Sequence, residues 1–269
     1  MHRILSISIY TLAGLMGLAA FFYPFFLPEI ERVGAQTATS ISLSASVRGT
    51  EAPILTTGLL LLCLIVLLIE VQGQTVSAKM VAALGVLVAI TAVLRFLEVA
   101  IPGPAGFSPI FAPIILTGYI FGPRFGFLMG TMTILASALI TGGLGPWLPF
   151  QMFATGWVGL TAGWLPHPQS PRWQLLWLTA WGFLWGLLYG VIINLYFWPF
   201  VAGDGATDWL PGTTFLDGLS RYAAFYVAAS LLWDMARAIG NVLLILALGL
   251  PTIRALLRFQ SRFQFQVEG

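Results

Sequence analysis

Lys79-Met-Val-Ala-Ala-Leu-Gly-Val-Leu-Val-Ala-Ile-Thr-Ala-Val-Leu-Arg-Phe-Leu-Glu-Val-Ala100 holds no ionisable side chain between Lys79 and Arg95. At a rise of ~1.5 Å per residue, such a run crosses the ~30 Å hydrocarbon core of a bilayer as one helix. Comparable apolar segments run at about 4–27, 53–71, 80–101, 109–121, 125–141, 148–165, 173–201 and 222–250, separated by short clusters of Gly, Pro, Ser or charge. They predict an all-α integral membrane protein with eight spans. Composition agrees, since 58% of the 269 residues are hydrophobic and 8% charged, against about 25% charged in a soluble domain. A soluble globule is excluded. The net charge of +2 is too small to suggest nucleic acid as a partner. The single cysteine, Cys63, excludes an intrachain disulfide and any multi-cysteine metal site.

The segments divide the chain into a transmembrane hairpin at 1–76, a six-helix core at 77–250 and a basic tail at 251–269. The hairpin carries a Ser/Thr-rich loop, Gln36 to Thr50, which reads as external. A secretory signal ending at Val33-Gly-Ala35 is the competing reading of the N-terminus. Its apolar run exceeds the usual core of about 7 to 15 residues, so a retained span is expected. The segment 109–121 reaches only ~20 Å as a helix and is expected to be short or partly re-entrant. Pro102-Gly-Pro-Ala-Gly-Phe-Ser-Pro109 cannot propagate a helix before it. Such backbone is tolerated at membrane depth only where it lines a cavity or is covered by protein.

With eight alternating spans, Arg3, Lys79, Arg124, Arg172, Arg254, Arg258 and Arg262 share one side, and Arg32, Arg48 and Arg221 the other. The excess places both termini in the cytoplasm. The loops at 102–109 and 142–149 and the acidic loop Gly203-Asp-Gly-Ala-Thr-Asp-Trp-Leu-Pro211 then face outward together. That side is the expected mouth. Phe107, Trp147, Phe150 and Trp209 supply apolar or stacking surfaces there, and Gln151 and Asn194 neutral polar groups. This is the usual make-up of a small-molecule site, mostly apolar with a few fixed polar groups.

Ionisable residues inside spans carry a functional presumption, because each costs ~2.5–3.5 kcal/mol at mid-helix. Arg95 and Glu98 are i, i+3 neighbours expected at the outer level, and Asp234 with Arg237 repeats that spacing, followed by Asn241. Arg95 and Glu98 can anchor a ligand, and Asp234, Arg237 and Asn241 form a second polar site. Self-compensated pairing that merely stabilises the fold is the rival account of both.

Small residues recur at helical spacing. Gly182, Gly186 and Gly190 form one stripe that Asn194 continues, Gly122, Gly126 and Gly130 a second, and Gly159 with Gly163 a third. Close helix packing explains most such stripes in spans. Ala78, Ala82, Gly85 and Ala89 give two offset pairs at the cytoplasmic end of a span, where a partner can dock. Trp173, Trp177, Trp181 and Trp185 form a ladder that serves lipid or hairpin packing or ligand stacking. With Lys79 the only lysine and His2 and His167 the only histidines, there is no phosphate-binding Gly-x-x-x-x-Gly-Lys-Ser/Thr motif and no His-Glu-x-x-His zinc site. No catalytic residue, metal or cofactor is expected.

Thr141-Gly-Gly-Leu-Gly-Pro-Trp-Leu-Pro-Phe-Gln-Met-Phe-Ala-Thr-Gly-Trp-Val-Gly-Leu-Thr-Ala-Gly163 resembles the substrate-specific S components of energy-coupling factor (ECF) vitamin transporters. Lys79-Met-Val-Ala-Ala-Leu-Gly85, the turn Phe121-Gly-Pro-Arg-Phe-Gly126 and Trp233-Asp-Met-Ala-Arg-Ala-Ile-Gly-Asn241 extend the likeness over about 77–250. The resemblance implies a vitamin-binding six-helix core in a prokaryotic cytoplasmic membrane, working with a separate T component and two ATPase subunits. It also implies that small residues on the first core helix, here Ala78, Ala82, Gly85 and Ala89, contact the T component. The aromatic, charge-poor outer end suits a large solute with much apolar surface, cobalamin first and riboflavin next. An intramembrane enzyme acting on lipids or isoprenoids through Arg95, Glu98, Asp234 and Arg237 is the alternative, and a purely structural subunit the third.

Overall fold

A computed structural model describes residues 15, 21, 78–101, 107–145, 147–198, 205–208, 210 and 214–263. Apart from Leu15 and Phe21, the N-terminal hairpin lies outside the described residues, as do its Ser/Thr-rich loop, the candidate cleavage site and Trp209. The helices are α1 (Ala78–Ala100), α2 (Phe111–Phe121), α3 (Pro123–Thr141), α4 (Leu148–Ala162), α5 (Pro171–Phe197), α6 (Phe215–Ala229) and α7 (Leu231–Phe263). No strand occurs among the described residues. α1, α3, α5 and the stretch Leu231–Ser261 of α7 are long and apolar enough to cross a membrane. The protein is therefore a multi-pass membrane protein, and its described residues form helices without strands. α2 has 11 residues and reaches only ~16 Å, as its short apolar run predicts.

Two boundaries differ from the hydropathy reading. The segment 222–250, expected as one span, is broken at Ser230, where α6 ends and α7 begins. Hydropathy stays high across the break, and hydrogen bonds at Ser230 mark it. The Ser230 amide closes α6 by donating to Tyr226 O, and the Ser230 hydroxyl accepts a hydrogen bond from Asn194 Nδ2 at 2.6 Å. A serine engaged in this way favours a helix end over an interior. The second difference is where the last helix ends, because α7 runs through Pro251 to Phe263, beyond the apolar segment that stops at about 250. Proline removes one backbone donor, and packing beyond it keeps the helix in place. Ile253 and Leu256 are buried, Gln260 Nε2 donates to Ile120 O at 3.2 Å, and the Phe259 and Phe121 rings meet edge to face.

The chain divides into two compact units. One comprises 75–144, 151–190 and 231–269. Within it α1 packs on α3, and α2 packs on both α3 and α7. Backbones touch where the glycine stripes meet: a Cβ on Gly159 would lie 2.0 Å from Gly126 O, and one on Gly130 2.1 Å from Thr155 O. α5 meets α7 likewise, since a Cβ on Gly186 would fall 2.3 Å from Ala238 Cα. In lipid, where packing drives helix association, such contact needs a glycine on at least one of the two facing helices. The tryptophan ladder divides along its length. Trp173 and Trp177 are exposed, whereas Trp185 is buried and its Nε1 donates to Thr161 Oγ1 at 2.9 Å.

The other unit comprises 1–74, 145–150 and 191–230. Trp198 is fully buried there, with Nε1 donating to Thr207 O at 2.7 Å and its ring 5.2 Å from that of Tyr222. The Tyr222 hydroxyl donates to Val191 O, and Arg221 donates to Gly205 O at 2.9 Å. The C-terminal part of α5 with Trp198 beyond it, the turn at 205–208 and α6 are thereby held together.

Candidate functional site

Among the described residues, the strongest concentration of polar chemistry inside the helices lies where the end of α1, the starts of α2 and α7 and the C-terminal half of α5 come together. Arg95 donates to Glu98 Oε1 at 2.5 Å, one turn apart on α1. Ser108, just before α2, donates to the other carboxylate oxygen of Glu98 at 2.7 Å. On α7, Arg237 donates to Asp234 Oδ1 at 2.5 Å and to Gly186 O of α5 at 3.3 Å. Its guanidinium lies over two rings, 5.2 Å from the Tyr189 centroid and 5.7 Å from that of Phe111. Those rings meet edge to face at 4.9 Å. Arg237 also lies within electrostatic range of Glu98, and both ion pairs act on Tyr189.

Local sequence explains each placement. An i, i+3 pair on a helix faces one side, so each arginine finds its carboxylate without tertiary help. Asp234 fits against α5 only because position 190 is glycine, where a Cβ would lie 1.7 Å from Asp234 Oδ2. Phe107 lies against α7 at Gly240, where a Cβ would lie 2.2 Å from its ring. One turn deeper, Asn241 is fully buried and Nδ2 donates to Gly182 O at 2.9 Å, while Oδ1 has no partner among the described residues. Two guanidinium and two carboxylate groups leave this cluster without net charge. Aromatic faces and paired charges of this kind provide stacking and hydrogen bonding in a low-dielectric setting.

The structure thus joins two sets of residues that the sequence presents separately, Arg95, Glu98 and Phe107 with Asp234, Arg237 and Asn241. Ser108, Phe111 and Tyr189 belong to the same cluster and escape sequence reasoning. Tyr189 had one usable signal, its position beside Gly190 on the glycine stripe. Ser108 and Phe111 had none, because their partners lie on other helices.

Other candidates have different surroundings. Trp147 is exposed, and Gln151 is half-buried in the first turn of α4, its carbonyl accepting from the Thr155 hydroxyl. Phe150 is buried and stacks on Tyr196 at 4.0 Å, and Asn194 is engaged with Ser230. Trp209 lies outside the described residues. Ala78, Ala82, Gly85 and Ala89 are all exposed, and a Cβ on Gly85 would meet nothing within 4 Å. No group of three or more His, Cys, Asp or Glu that could hold a metal occurs among the described residues.

A family model described as ECF transporter, substrate-specific component, matches residues 79–249. Comparison with curated proteins and with solved structures gives no match.

Proposed function

The chain belongs to the substrate-specific components of ECF transporters, and we propose that it captures a vitamin-like organic solute on the external side and delivers it inward with a T component and two ATPase subunits. The family is a transport component rather than an enzyme, and no observation favours the lipid- or isoprenoid-modifying alternative. The supporting observation for solute binding is the cluster around Arg95, Glu98, Asp234 and Arg237, with its three aromatic rings and balanced charge. A neutral solute with a broad apolar surface fits such a lining, because an added net charge would meet no uncompensated counter-charge. Cobalamin is the first solute to test and riboflavin the second. Mass spectrometry of the small molecule that co-purifies in detergent identifies the solute, and an empty protein that binds neither vitamin would count against this reading.

We assign the solute contacts to Arg95, Phe107 and Gln151. Arg95→Gln and Gln151→Ala are expected to raise the dissociation constant of the identified vitamin at least about tenfold, equivalent to ~1.4 kcal/mol. The thermal midpoint without solute should move little for Gln151→Ala, whereas Arg95→Gln should also lower it by unpairing Glu98. Calorimetric titration showing unchanged affinity for both variants would transfer the contacts to Asp234, Arg237 and Asn241.

The proposed arrangement has eight spans in a prokaryotic cytoplasmic membrane with both ends of the chain inside, as the distribution of Arg and Lys supports. A tag after Gly269 should be accessible only from the cytoplasm and one near Ser44 only from outside. Labelling of both tags from the same side would remove the eight-span topology.

A further inference from the structure

One aromatic side chain from the N-terminal segment, outside the residues that the family model matches, is deeply buried: Phe21 is 1% exposed. Its ring meets that of Phe150 edge to face, with centroids 5.1 Å apart and planes at 76°. Phe150 in turn stacks on Tyr196 at 4.0 Å and 26°. Phe150 lies in the first turn of α4 and Tyr196 in the last turn of α5, so three distant parts of the chain meet at one ring.

The first turn of α4 is placed by its buried side chains, Leu148 and Phe150. The chain reaches this turn through Gly142, Gly143 and Gly145, which bring no side chain to pack. Phe150 is the large ring that holds the turn, with Tyr196 on its face and Phe21 at its edge. Aromatic pairs prefer these stacked and edge-to-face arrangements, and they fix orientation as well as burying area.

We propose that Phe21 is a positioning residue that clamps Phe150 against Tyr196 and thereby orders the start of α4 and the end of α5. Gln151 follows Phe150 directly, so the consequence for the solute rests on the function proposed above. The clamp itself does not.

Hydrogen–deuterium exchange of the full-length chain in detergent, without solute, tests the clamp. Phe21→Ala should accelerate exchange at least about tenfold in peptides covering 148–155 and 191–198 and leave α3 unchanged, and Phe21→Leu should restore most of the protection. Should Phe21→Ala fail to fold, Phe21→Val should give a smaller acceleration at the same peptides. Acceleration spread equally over α3 would make Phe21 an ordinary stabilising residue, and unchanged exchange at 148–155 would remove the clamp; either result overturns the proposal. If the exchange responds as expected while Gln151→Ala binds the vitamin normally, the solute contact fails and the clamp stands.

Discussion

Gly85→Trp is expected to reduce ATP-driven uptake to background while leaving solute binding by the detergent-purified chain intact. Ala82→Trp should behave in the same way. The expectation follows from what surrounds α1. It buries only Ala83, Val88, Thr91 and Ala92 within the structure, and Ala78, Ala82, Gly85 and Ala89 are exposed. A Cβ at Gly85 meets nothing within 4 Å, so a bulky side chain there costs the isolated chain little. A partner helix seated on the small residues would be held away, because helix association in lipid depends on close backbone approach. Uptake in whole cells, titration of the purified variant and pull-down of the T component separate the steps. If the variants co-purify with the T component at normal yield, this face is not the docking surface.

Asp234→Leu is expected to destabilise the chain by about 3–5 kcal/mol, the range for removing one partner of a buried ion pair. Asp234 is 1% exposed and paired with Arg237 at 2.5 Å. The variant would leave the guanidinium with two aromatic faces and Gly186 O but without its carboxylate. Those contacts orient the cation without neutralising it. Replacing both partners, Asp234→Leu with Arg237→Met, should recover most of the loss, since an apolar pair of similar volume is often neutral or better. The SDS concentration at half-unfolding measures both effects. Unchanged stability in the single variant, together with weakened vitamin binding, would make Asp234 a solute contact instead of a structural partner.

How much was legible in the sequence varies with the range of each interaction. The apolar run from Met80 to Leu94 and the short 109–121 segment are local, and α1 and α2 match them closely. The i, i+3 pairs were legible for the same reason, as one helical turn brings Arg95 to Glu98 and Arg237 to Asp234. The break at Ser230 was not, because its mark is a hydroxyl accepting from Asn194 on another helix while hydropathy stays high around it. The neighbours of Phe150 were not legible either, because the rings of Phe21 and Tyr196 that meet it come from distant parts of the chain.

Membrane residence, the helical class and the family motifs follow from hydropathy and local spacing, which depend only on neighbours in the chain. The union of Glu98 with Ser108, and of Arg237 with Phe111 and Tyr189, depends on which faces of α1, α2, α5 and α7 meet. Gly186 against Ala238 and Gly190 beneath Asp234 set that choice on α5 and α7, because only a position without a Cβ admits so close a neighbour. No periodicity within a single helix carries that information: a glycine stripe shows that a close neighbour exists, and packing alone selects which helix it is.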